Sequence, residues 1–388
     1  MTRTQSISVI GGGLAGLTAA IACAEGGARV TLYEAHRTLG GRARSTSGPY
    51  IANDGTHAVY ADGEPFRWLA ARDLVQPFAR PSLRQLAAMR FRHQGRLAAL
   101  PPAPLARFVL RRSRTAPVAE DFRSWGTREL GAETMRAVCG LAGVLTYEAD
   151  PGRLSAAFVW ERVTRAFAPK YPAARYPLGG WGAMVARMAG LARELGVAIE
   201  TGTRVDRLPE SPVIVATSLD AARRLLDEPA LRWESGRAVL LDLAVRSRGK
   251  DPFLVSDLDE GGFAEAYSMP DPSAAPAGET LYQLELPSGG EEDRRRATAR
   301  IERLADTAIP GWRDRMTWRR DQTAQGRTGA LDLPGRTWRD RPAIDRGDGV
   351  FLAGDMVAAP GLLAEVSINS ARAAARAALA AARITAAA

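Results

Sequence analysis

Four glycines within six positions near the start of the chain could bind a phosphate group through the backbone alone. Gly11 permits a tight turn, Gly13 lets the backbone approach a pyrophosphate, and Gly16 lets a helix contact the strand before it. The N–H groups of Leu14 and Ala15 would then point at the phosphates, together with the positive end of the helix dipole. The spacing predicts a dinucleotide-binding turn that needs no charged side chain.

A carboxylate follows this turn at the distance expected for a ribose contact. Glu34 lies 18 positions after Gly16, close to the roughly 20 residues that separate the two features in dinucleotide-binding motifs. Its carboxylate can accept hydrogen bonds from both ribose hydroxyls, and Ala35 directly follows it. Because the negative charge would repel a 2′-phosphate, the site favours FAD or NAD over NADP.

These residues need a parallel sheet to hold them. Residues 7–10 form a β-branched run before the turn, and residues 28–34 form the next strand of a βαβ unit. Residues 212–217 are almost entirely apolar, which is typical of a strand buried on both faces of a parallel sheet. Residues 197–200 and 203–208 are predicted as two further strands. We therefore expect an α/β fold with a Rossmann-like nucleotide-binding domain.

Length and composition limit the remaining possibilities. A chain of 388 residues with 46% hydrophobic content can bury a large core and should form about two domains. The net charge is +9, and basic surfaces can attract nucleic acid, anionic lipid or acidic substrates. No helix-turn-helix, zinc spacing or basic stripe with interleaved aromatic residues is present, so we expect no nucleic-acid partner and no bound metal.

Cysteine content and hydropathy favour a cytoplasmic location. Cys23 and Cys139 form neither a CxxC motif nor a disulfide framework. No stretch reaches the 18 apolar residues that a membrane span requires. Residues 105–114 combine a short apolar cluster with flanking arginines, for which we weigh a weak membrane-surface contact against an ordinary solvated helix.

A second glycine-rich segment, Gly40-Gly41-Arg42-Ala43-Arg44-Ser45, separates FAD from NAD. With the acid and short spacer before it, this segment resembles the flavin amine oxidase superfamily, which includes phytoene desaturases and protoporphyrinogen oxidases. The resemblance implies that Arg42 contacts the FAD pyrophosphate beside Gly41. A guanidinium fork suits two phosphate oxygens, so the chemistry agrees with the resemblance.

The same resemblance extends along nearly the whole chain and implies further cofactor contacts. Gly55, Thr56 and His57 would line the flavin, and the backbone of Val205 would bind adenine. A late apolar strand ends in Gly354 and Asp355, whose carboxylate would accept a ribityl hydroxyl. A helix beginning near Leu362 would bring its positive end to the flavin pyrimidine edge through Leu363 and Val366.

The resemblance also implies two domains, each built from separated segments. We expect a Rossmann-like FAD-binding domain with an inserted α+β substrate domain, in which a helical roof covers an antiparallel sheet floor. The FAD-binding domain would comprise residues 1–64, 176–229 and 339–388, and the substrate domain residues 65–175 and 230–338. Proline-rich residues 100–104 interrupt the helical insertion.

Catalysis on this basis would rest on positioning more than on acid and base groups. Hydride transfer to flavin N5 requires a substrate C–H held near the ring in a dry cavity. Tyr60, Trp181, Tyr267 and Tyr282 are predicted to shape that cavity. His57 is either a hydrogen-bonded turn residue or the proton acceptor if the oxidised bond carries O–H or N–H.

Three functions remain open from the sequence. The leading hypothesis is an FAD-dependent oxidase or desaturase that acts on a fairly apolar small molecule, with oxygen or another acceptor reoxidising the flavin. The second is an amine oxidase with an unusual pocket, because residues 356–365 lack the aromatic pair that many amine oxidases place there. The third is an isomerase, or a protein that keeps FAD structurally. The sequence does not indicate an oligomeric state.

Overall fold

Three β-sheets organise the structure, a computed structural model that describes residues 6–55, 58–166, 174–209, 212–290 and 292–387. The strands in chain order are β1 (Ser6–Ile10), β2 (Arg29–Glu34), β3 (Val59–Tyr60), β4 (Phe78–Ala79), β5 (Met89–His93), β6 (Arg96–Ala98), β7 (Ala174–Pro177), β8 (Ala198–Thr201), β9 (Val213–Val215), β10 (Ser235–Arg246), β11 (Leu254–Asp257), β12 (Phe263–Glu265), β13 (Glu279–Pro287), β14 (Met316–Ala330) and β15 (Val350–Leu352).

Helices cover the sheets and join their strands. In chain order they are α1 (Leu14–Glu25), α2 (Glu64–Ala70), α3 (Leu83–Ala87), α4 (Ala103–Arg111), α5 (Phe122–Leu130), α6 (Ala132–Thr146), α7 (Ala156–Ala166), α8 (Gly180–Glu194), α9 (Leu219–Leu225), α10 (Arg294–Ala308), α11 (Trp312–Arg315) and α12 (Ala364–Ala387).

The first sheet is parallel and has the strand order β15-β9-β1-β2-β8. Helices α1, α8 and α12 pack on one face, where Val9 and Ile214 are fully buried. Helix α9 covers the other face, where Val213 and Leu352 are buried. Apolar residues on both faces explain why the central strands read as continuous hydrophobic runs. The predicted α/β fold with a Rossmann-like sheet is confirmed.

One predicted strand of this region is wrong. Residues 203–208 do not form a strand, although 197–200 correspond to β8. β8 is an edge strand that pairs only with β2, and that ladder ends where Glu34 meets Thr201. Two further backbone bonds follow, from the Thr203 N–H to the Glu34 carbonyl and from the Gly202 N–H to the His36 carbonyl. Beyond them the segment has no neighbouring strand to pair with, so the chain leaves the sheet.

The second sheet has seven strands in the order β14-β10-β13-β12-β11-β5-β6. All neighbouring pairs are antiparallel except β5 and β11. One face packs on α10, where Leu284 and Leu286 contact a cluster that includes Trp312. On the opposite face, Tyr267 packs with Tyr176 of β7. This sheet matches the predicted floor, with one parallel pair in place of a purely antiparallel ladder.

The predicted helical insertion is only partly helical. Helices α4 to α7 pack around Trp125 and Trp160, whose rings lie 4.9 Å apart. However, β5 and β6 come from the same insertion and extend the seven-stranded sheet. They form a hairpin whose two-residue turn, Gln94 and Gly95, has positive φ at both positions, as a type I′ turn requires. Strands from both segments of the predicted substrate domain, residues 65–175 and 230–338, therefore lie in one sheet.

Most of the arginine-flanked segment 105–114 lies in helix α4. Leu105 and Phe108 are buried, whereas Leu110 is 83% exposed. Arg107 and Arg114 form ion pairs with acidic side chains of the helices beneath. Among the described residues, no helix has both the length and the apolar character needed to cross a bilayer. A weak surface contact with a membrane stays a prediction.

Candidate functional site

The carboxyl ends of the parallel strands lie at one edge of the first sheet, where several predicted site residues meet. Gly11 follows β1, Glu34 ends β2, and Gly354 and Asp355 follow β15. Neighbours β2 and β9 lie on opposite sides of β1. Ligands of open parallel sheets bind in the crevice outside the strand ends at such a point. The topology therefore brings together residues that are far apart in the sequence.

The glycine turn has the geometry that a phosphate needs. A Cβ on Gly16 would lie 1.7 Å from the carbonyl oxygen of Gly11, so this position requires glycine. Gly11 itself has a φ of 107°, a conformation that favours glycine. A Cβ on Gly13, in contrast, would meet its nearest protein atom only at 3.9 Å. Helix α1 begins at Leu14 without a side-chain cap, which leaves its first N–H groups for an anion.

Glu34 is fixed directly beside this turn. Its side chain accepts hydrogen bonds from the Gly12 N–H at 2.7 Å and from the His36 N–H at 2.8 Å. The residue is 7% exposed. Each carboxylate oxygen can accept a further bond, so Glu34 remains able to bind a ribose diol.

Arg42 and Asp355 form a bidentate ion pair across 313 positions of sequence, with N···O distances of 2.5 and 2.7 Å. Burial raises the pKa of Asp355, but the charge and hydrogen bonds of Arg42 outweigh it and hold that pKa below its usual value. The Arg42 side chain stays 41% exposed. The Gly354 N–H donates to the Ser370 hydroxyl of α12 at 2.9 Å, which anchors the second turn. The ion pair therefore joins the glycine-rich segment after β2 to the turn after β15.

These residues fit a dinucleotide. The turn offers open space over Gly13, the α1 N-terminus and the Arg42 guanidinium offer donors for phosphates, and Glu34 offers acceptors for a ribose. Asp355 offers acceptors for further hydroxyl groups. These are the donors and acceptors that the phosphates and hydroxyl groups of a dinucleotide require.

A cleft beside the turn joins predicted cofactor residues to predicted pocket residues. Leu14, Tyr60, Trp181 and Leu363 all line it. Burial raises the pKa of Tyr60 to about 12, so its phenol stays protonated at neutral pH. Trp181 is 6% exposed, and its indole N–H has no hydrogen-bond partner among the described residues. The cleft is mainly apolar and suits an aromatic or aliphatic group.

The two remaining tyrosines lie on opposite faces of the seven-stranded sheet. Tyr267 faces β7 and donates a hydrogen bond to the Ile51 carbonyl at 3.1 Å. Tyr282 instead packs in the core beneath α10 and donates to the Pro252 carbonyl at 3.0 Å. The strand alternation explains the difference, since Tyr282 shares its face with Leu284. The prediction that Tyr282 shapes the pocket is therefore wrong, because its side chain lies in the core beneath α10.

The other predicted residues occupy varied positions. Thr56 and His57 lie outside the described residues. A Cβ on Gly55 would lie 3.9 Å from the Arg42 carbonyl oxygen, and Gly41 has a φ of 53°. The remaining positions are buried in helices (Ala15 and Val366), partly buried in the loop after β8 (Val205), and exposed (Ala35).

Sequence reasoning missed a group of buried polar residues on the floor. Glu265 of β12 accepts a hydrogen bond from the Tyr176 hydroxyl, and Glu285 of β13 is buried nearby on the same face. Tyr147, in a left-handed conformation at the end of α6, is also buried. The sequence did contain a signal, because Gln283 and Glu285 place polar side chains at alternate positions of the central strand β13. Such side chains are unusual in a strand whose sheet is covered on both faces.

Known proteins place this geometry in a recognised fold. Residues 9–71 match the NAD(P)-binding Rossmann-like domain family. No curated protein matches the sequence. Among solved structures, an oxidoreductase from Methanosarcina mazei is 15% identical, with a TM-score of 0.76 over 95% of this chain and 99% of that chain. Cyclohexylamine oxidase from Brevibacterium oxydans is 16% identical, with a TM-score of 0.74 over 98% and 100%.

A reduced UDP-galactopyranose mutase is also similar, at 16% identity and a TM-score of 0.72 over 97% of this chain and 96% of that chain. The chain shares the fold of these proteins. The similarity spans the sheets and the helices between them, because nearly all of each chain is covered. The comparisons thereby confirm the fold that the sequence motifs predict, an α/β chain with a Rossmann-like domain.

Proposed function

We propose that this chain is an FAD-dependent oxidoreductase of the flavin amine oxidase type. The observation that carries the proposal is the meeting of the glycine turn, Glu34, Arg42 and Asp355 at one sheet edge. These groups come from opposite ends of the chain and match the phosphates, ribose and ribityl hydroxyls of FAD in chemistry. The fold shared with cyclohexylamine oxidase supports the same conclusion.

The substrate of this enzyme would be a fairly apolar organic molecule. FAD, when bound, supplies a hydride acceptor at flavin N5. The chain contributes orientation and exclusion of water, because Tyr60, Trp181 and the aliphatic residues around them form a largely apolar cleft. His57 is the proposed proton acceptor for a substrate O–H or N–H. Oxygen or another acceptor would complete the cycle.

Two related functions have support from particular comparisons. Similarity to cyclohexylamine oxidase favours oxidation of an amine in an atypical pocket. Similarity to UDP-galactopyranose mutase favours a reaction without net oxidation. Ammonia release with flavin reduction would identify the first, and turnover without flavin bleaching or hydrogen peroxide would identify the second.

The proposal is tested on the purified protein. It should be yellow, and denaturation should release FAD, because no cysteine lies in a cofactor motif and the cofactor should be noncovalent. Arg42→Ala should lower FAD content, whereas Arg29→Ala, on the exposed start of β2, should not. A colourless protein that takes up NADP instead would refute the assignment. Anaerobic flavin reduction by polyenes, porphyrinogens, amines and cyclic metabolites would then define the substrate class.

The proton-acceptor role of His57 has its own test. His57→Ala should slow flavin reduction about 100-fold, the usual effect of losing a general base, while FAD stays bound. Reduction at the wild-type rate would make His57 structural and leave positioning to carry the reaction.

A further inference from the structure

The cleft beside the glycine turn has three polar side chains among the described residues that line it, those of Tyr60, Trp181 and Glu365. Its remaining walls are aliphatic or aromatic and come mainly from α1, α2, α8 and the start of α12. A molecule seated in the cleft either satisfies the three polar groups or leaves them buried without partners, which costs free energy. The hydrogen bonds that these groups already form therefore indicate what the molecule has to supply.

Glu365, the acceptor of the three, is already bonded on both carboxylate oxygens. They accept two hydrogen bonds from the Arg165 guanidinium of α7, at 2.5 and 2.6 Å, and one from the Leu362 N–H at 2.9 Å. Arg165 also balances the charge of Glu365, and its second partner, Asp62, has a side chain that is 44% exposed and therefore solvated. Within the described part of the chain, the cleft thus offers a cation no unpaired carboxylate.

The other two polar side chains are donors without partners. The Trp181 indole N–H is buried and bonds to no described residue. The Tyr60 hydroxyl likewise forms no hydrogen bond with the described residues. Because burial raises the pKa of Tyr60 to about 12, this phenol keeps its proton at neutral pH. Buried polar groups of folded proteins are normally paired, so the two donors point to an acceptor that a ligand brings.

Both donors are held in place by contacts outside the cleft. The Trp181 backbone N–H, in the first turn of α8, donates to the Asn53 side chain at 3.0 Å. Tyr60 belongs to β3, which pairs with β7, and the Arg165 guanidinium lies 5.6 Å from the centre of the Tyr60 ring. Side chains that are fixed before binding lose little conformational entropy when a ligand arrives. The two donors are therefore well placed to select among ligands.

We infer that the cleft binds an uncharged molecule that is apolar except for an oxygen acceptor, such as a carbonyl group, and that Trp181 and Tyr60 are the specificity-determining residues that donate to this oxygen. The aliphatic and aromatic walls would contact the rest of the molecule. The inference rests on the proposed function, because it makes the cleft the substrate site of the flavin enzyme. It narrows the substrate class, since it disfavours a pure hydrocarbon and a protonated amine.

The hydrogen-bonding capacity of each class explains this selection. A carbonyl oxygen has two lone pairs and can accept a bond from one or both donors. A hydrocarbon would leave both donors unpaired in a cleft that excludes water. An ammonium group carries donors and no acceptor, so it would meet two further donors and a carboxylate that Arg165 already pairs.

The test uses the FAD-loaded enzyme and two probes of nearly the same shape. Acetophenone carries a carbonyl oxygen at the position where α-methylstyrene carries a CH₂ group. A cleft without donors would bind α-methylstyrene more tightly, because this hydrocarbon gains more by leaving water. Wild type should instead bind acetophenone at least as tightly as α-methylstyrene, as measured by calorimetry.

Trp181→Phe should weaken acetophenone binding about 10-fold, a typical effect of losing one hydrogen bond in a buried site, and should leave α-methylstyrene binding and FAD affinity unchanged. Tyr60→Phe, which removes only the hydroxyl, should have the same selective effect. The matched control is Tyr282→Phe, which removes a phenol donor in the core beneath α10 and should leave the binding of both probes unchanged.

Wild type that binds α-methylstyrene more tightly than acetophenone would overturn the inference, as would acetophenone affinity retained by both Trp181→Phe and Tyr60→Phe. Tighter binding of protonated cumylamine than of acetophenone would also overturn it. So would a loss of FAD affinity in Trp181→Phe with unchanged acetophenone binding, because the cofactor would then be the partner of the indole. If Trp181→Phe does not fold, the wild-type comparison and Tyr60→Phe decide. Protein that holds no FAD after reconstitution would instead refute the proposed function.

Discussion

The edge of the parallel sheet and the face of the seven-stranded sheet use different parts of the chain to build a site. At the edge, the turn from Gly11 to Gly16 offers backbone N–H groups, and Glu34 is fixed by two backbone donors. On the face, Glu265 and Glu285 project from central strands into a buried interior. The first site depends on where side chains are missing, and the second depends on which side chains are present.

This difference determines how each site tolerates change. A backbone site fails when a side chain fills its space, however conservative the substitution. A side-chain site on a rigid sheet keeps its shape when one polar group is replaced by an isostere, and only its charge or hydrogen bonding changes. Substitutions in the two regions should therefore separate folding, cofactor binding and ligand choice.

The largest effect should come from alanine at two glycines of the turn. Gly16→Ala places a Cβ 1.7 Å from the Gly11 oxygen and should abolish both the folded domain and FAD binding. Gly13→Ala has 3.9 Å of space and should leave the melting temperature within a few degrees while FAD is lost. Calorimetry and FAD release measure the two properties separately. If Gly13→Ala retains full FAD affinity, phosphates do not approach the turn there.

The second effect is on the pH dependence of the free energy of unfolding, through the carboxyl group of Glu265. Burial raises its pKa from 4.5 to about 7, with the Tyr176 hydrogen bond opposing this. Since the folded pKa is the higher one, the stability contribution is complete below about pH 4.5 and is lost as the pH rises through about 7. The loss amounts to at most about 3 kcal/mol. Glu265→Gln should remove it, so denaturation curves should show the variant gaining on wild type from pH 5 to pH 8. Parallel curves would refute the shift.

The third effect is on FAD affinity at the sheet edge. Glu34→Gln removes charge-assisted hydrogen bonds to the ribose, which are worth roughly 1.5–3 kcal/mol, and should raise the FAD dissociation constant about 10- to 150-fold. Glu25→Gln, at the end of α1 and paired with Arg72, is the control and should not affect FAD. Unchanged affinity for Glu34→Gln would show that the diol is held elsewhere.

The smallest effect should be at Tyr282. Tyr282→Phe removes the hydrogen bond to the Pro252 carbonyl in the core and should cost about 1 kcal/mol of unfolding free energy. FAD affinity and flavin reduction should not change, because this side chain lies beneath α10. Tyr60→Phe, in the cleft, should instead alter the flavin absorbance spectrum. An altered rate of flavin reduction in Tyr282→Phe would show that this residue does line the pocket.

The sequence was informative where backbone geometry leaves a constraint on residue type. Gly11, Gly16 and the spacing to Glu34 predicted the strand, turn and helix at the sheet edge, and the residues after β15 were found by a similar pattern. The sequence was less informative about the seven-stranded sheet. Alternation in β13 was visible, but a sequence cannot state which face is covered by α10, so Tyr282 was placed on the wrong side and Glu285 was not recognised.

The order in which the parallel sheet is completed has a consequence for biosynthesis. Three of its strands, β1, β9 and β15, are neighbours in space, yet the ribosome makes β15 only after more than 340 residues. The bridge from Arg42 to Asp355 closes at the same late stage. A nascent chain would therefore contain the glycine turn long before β15 and Asp355 are synthesised. Cofactor capture should accordingly follow translation, and polypeptides truncated before Asp355 should be substrates for chaperones and proteases rather than flavoproteins.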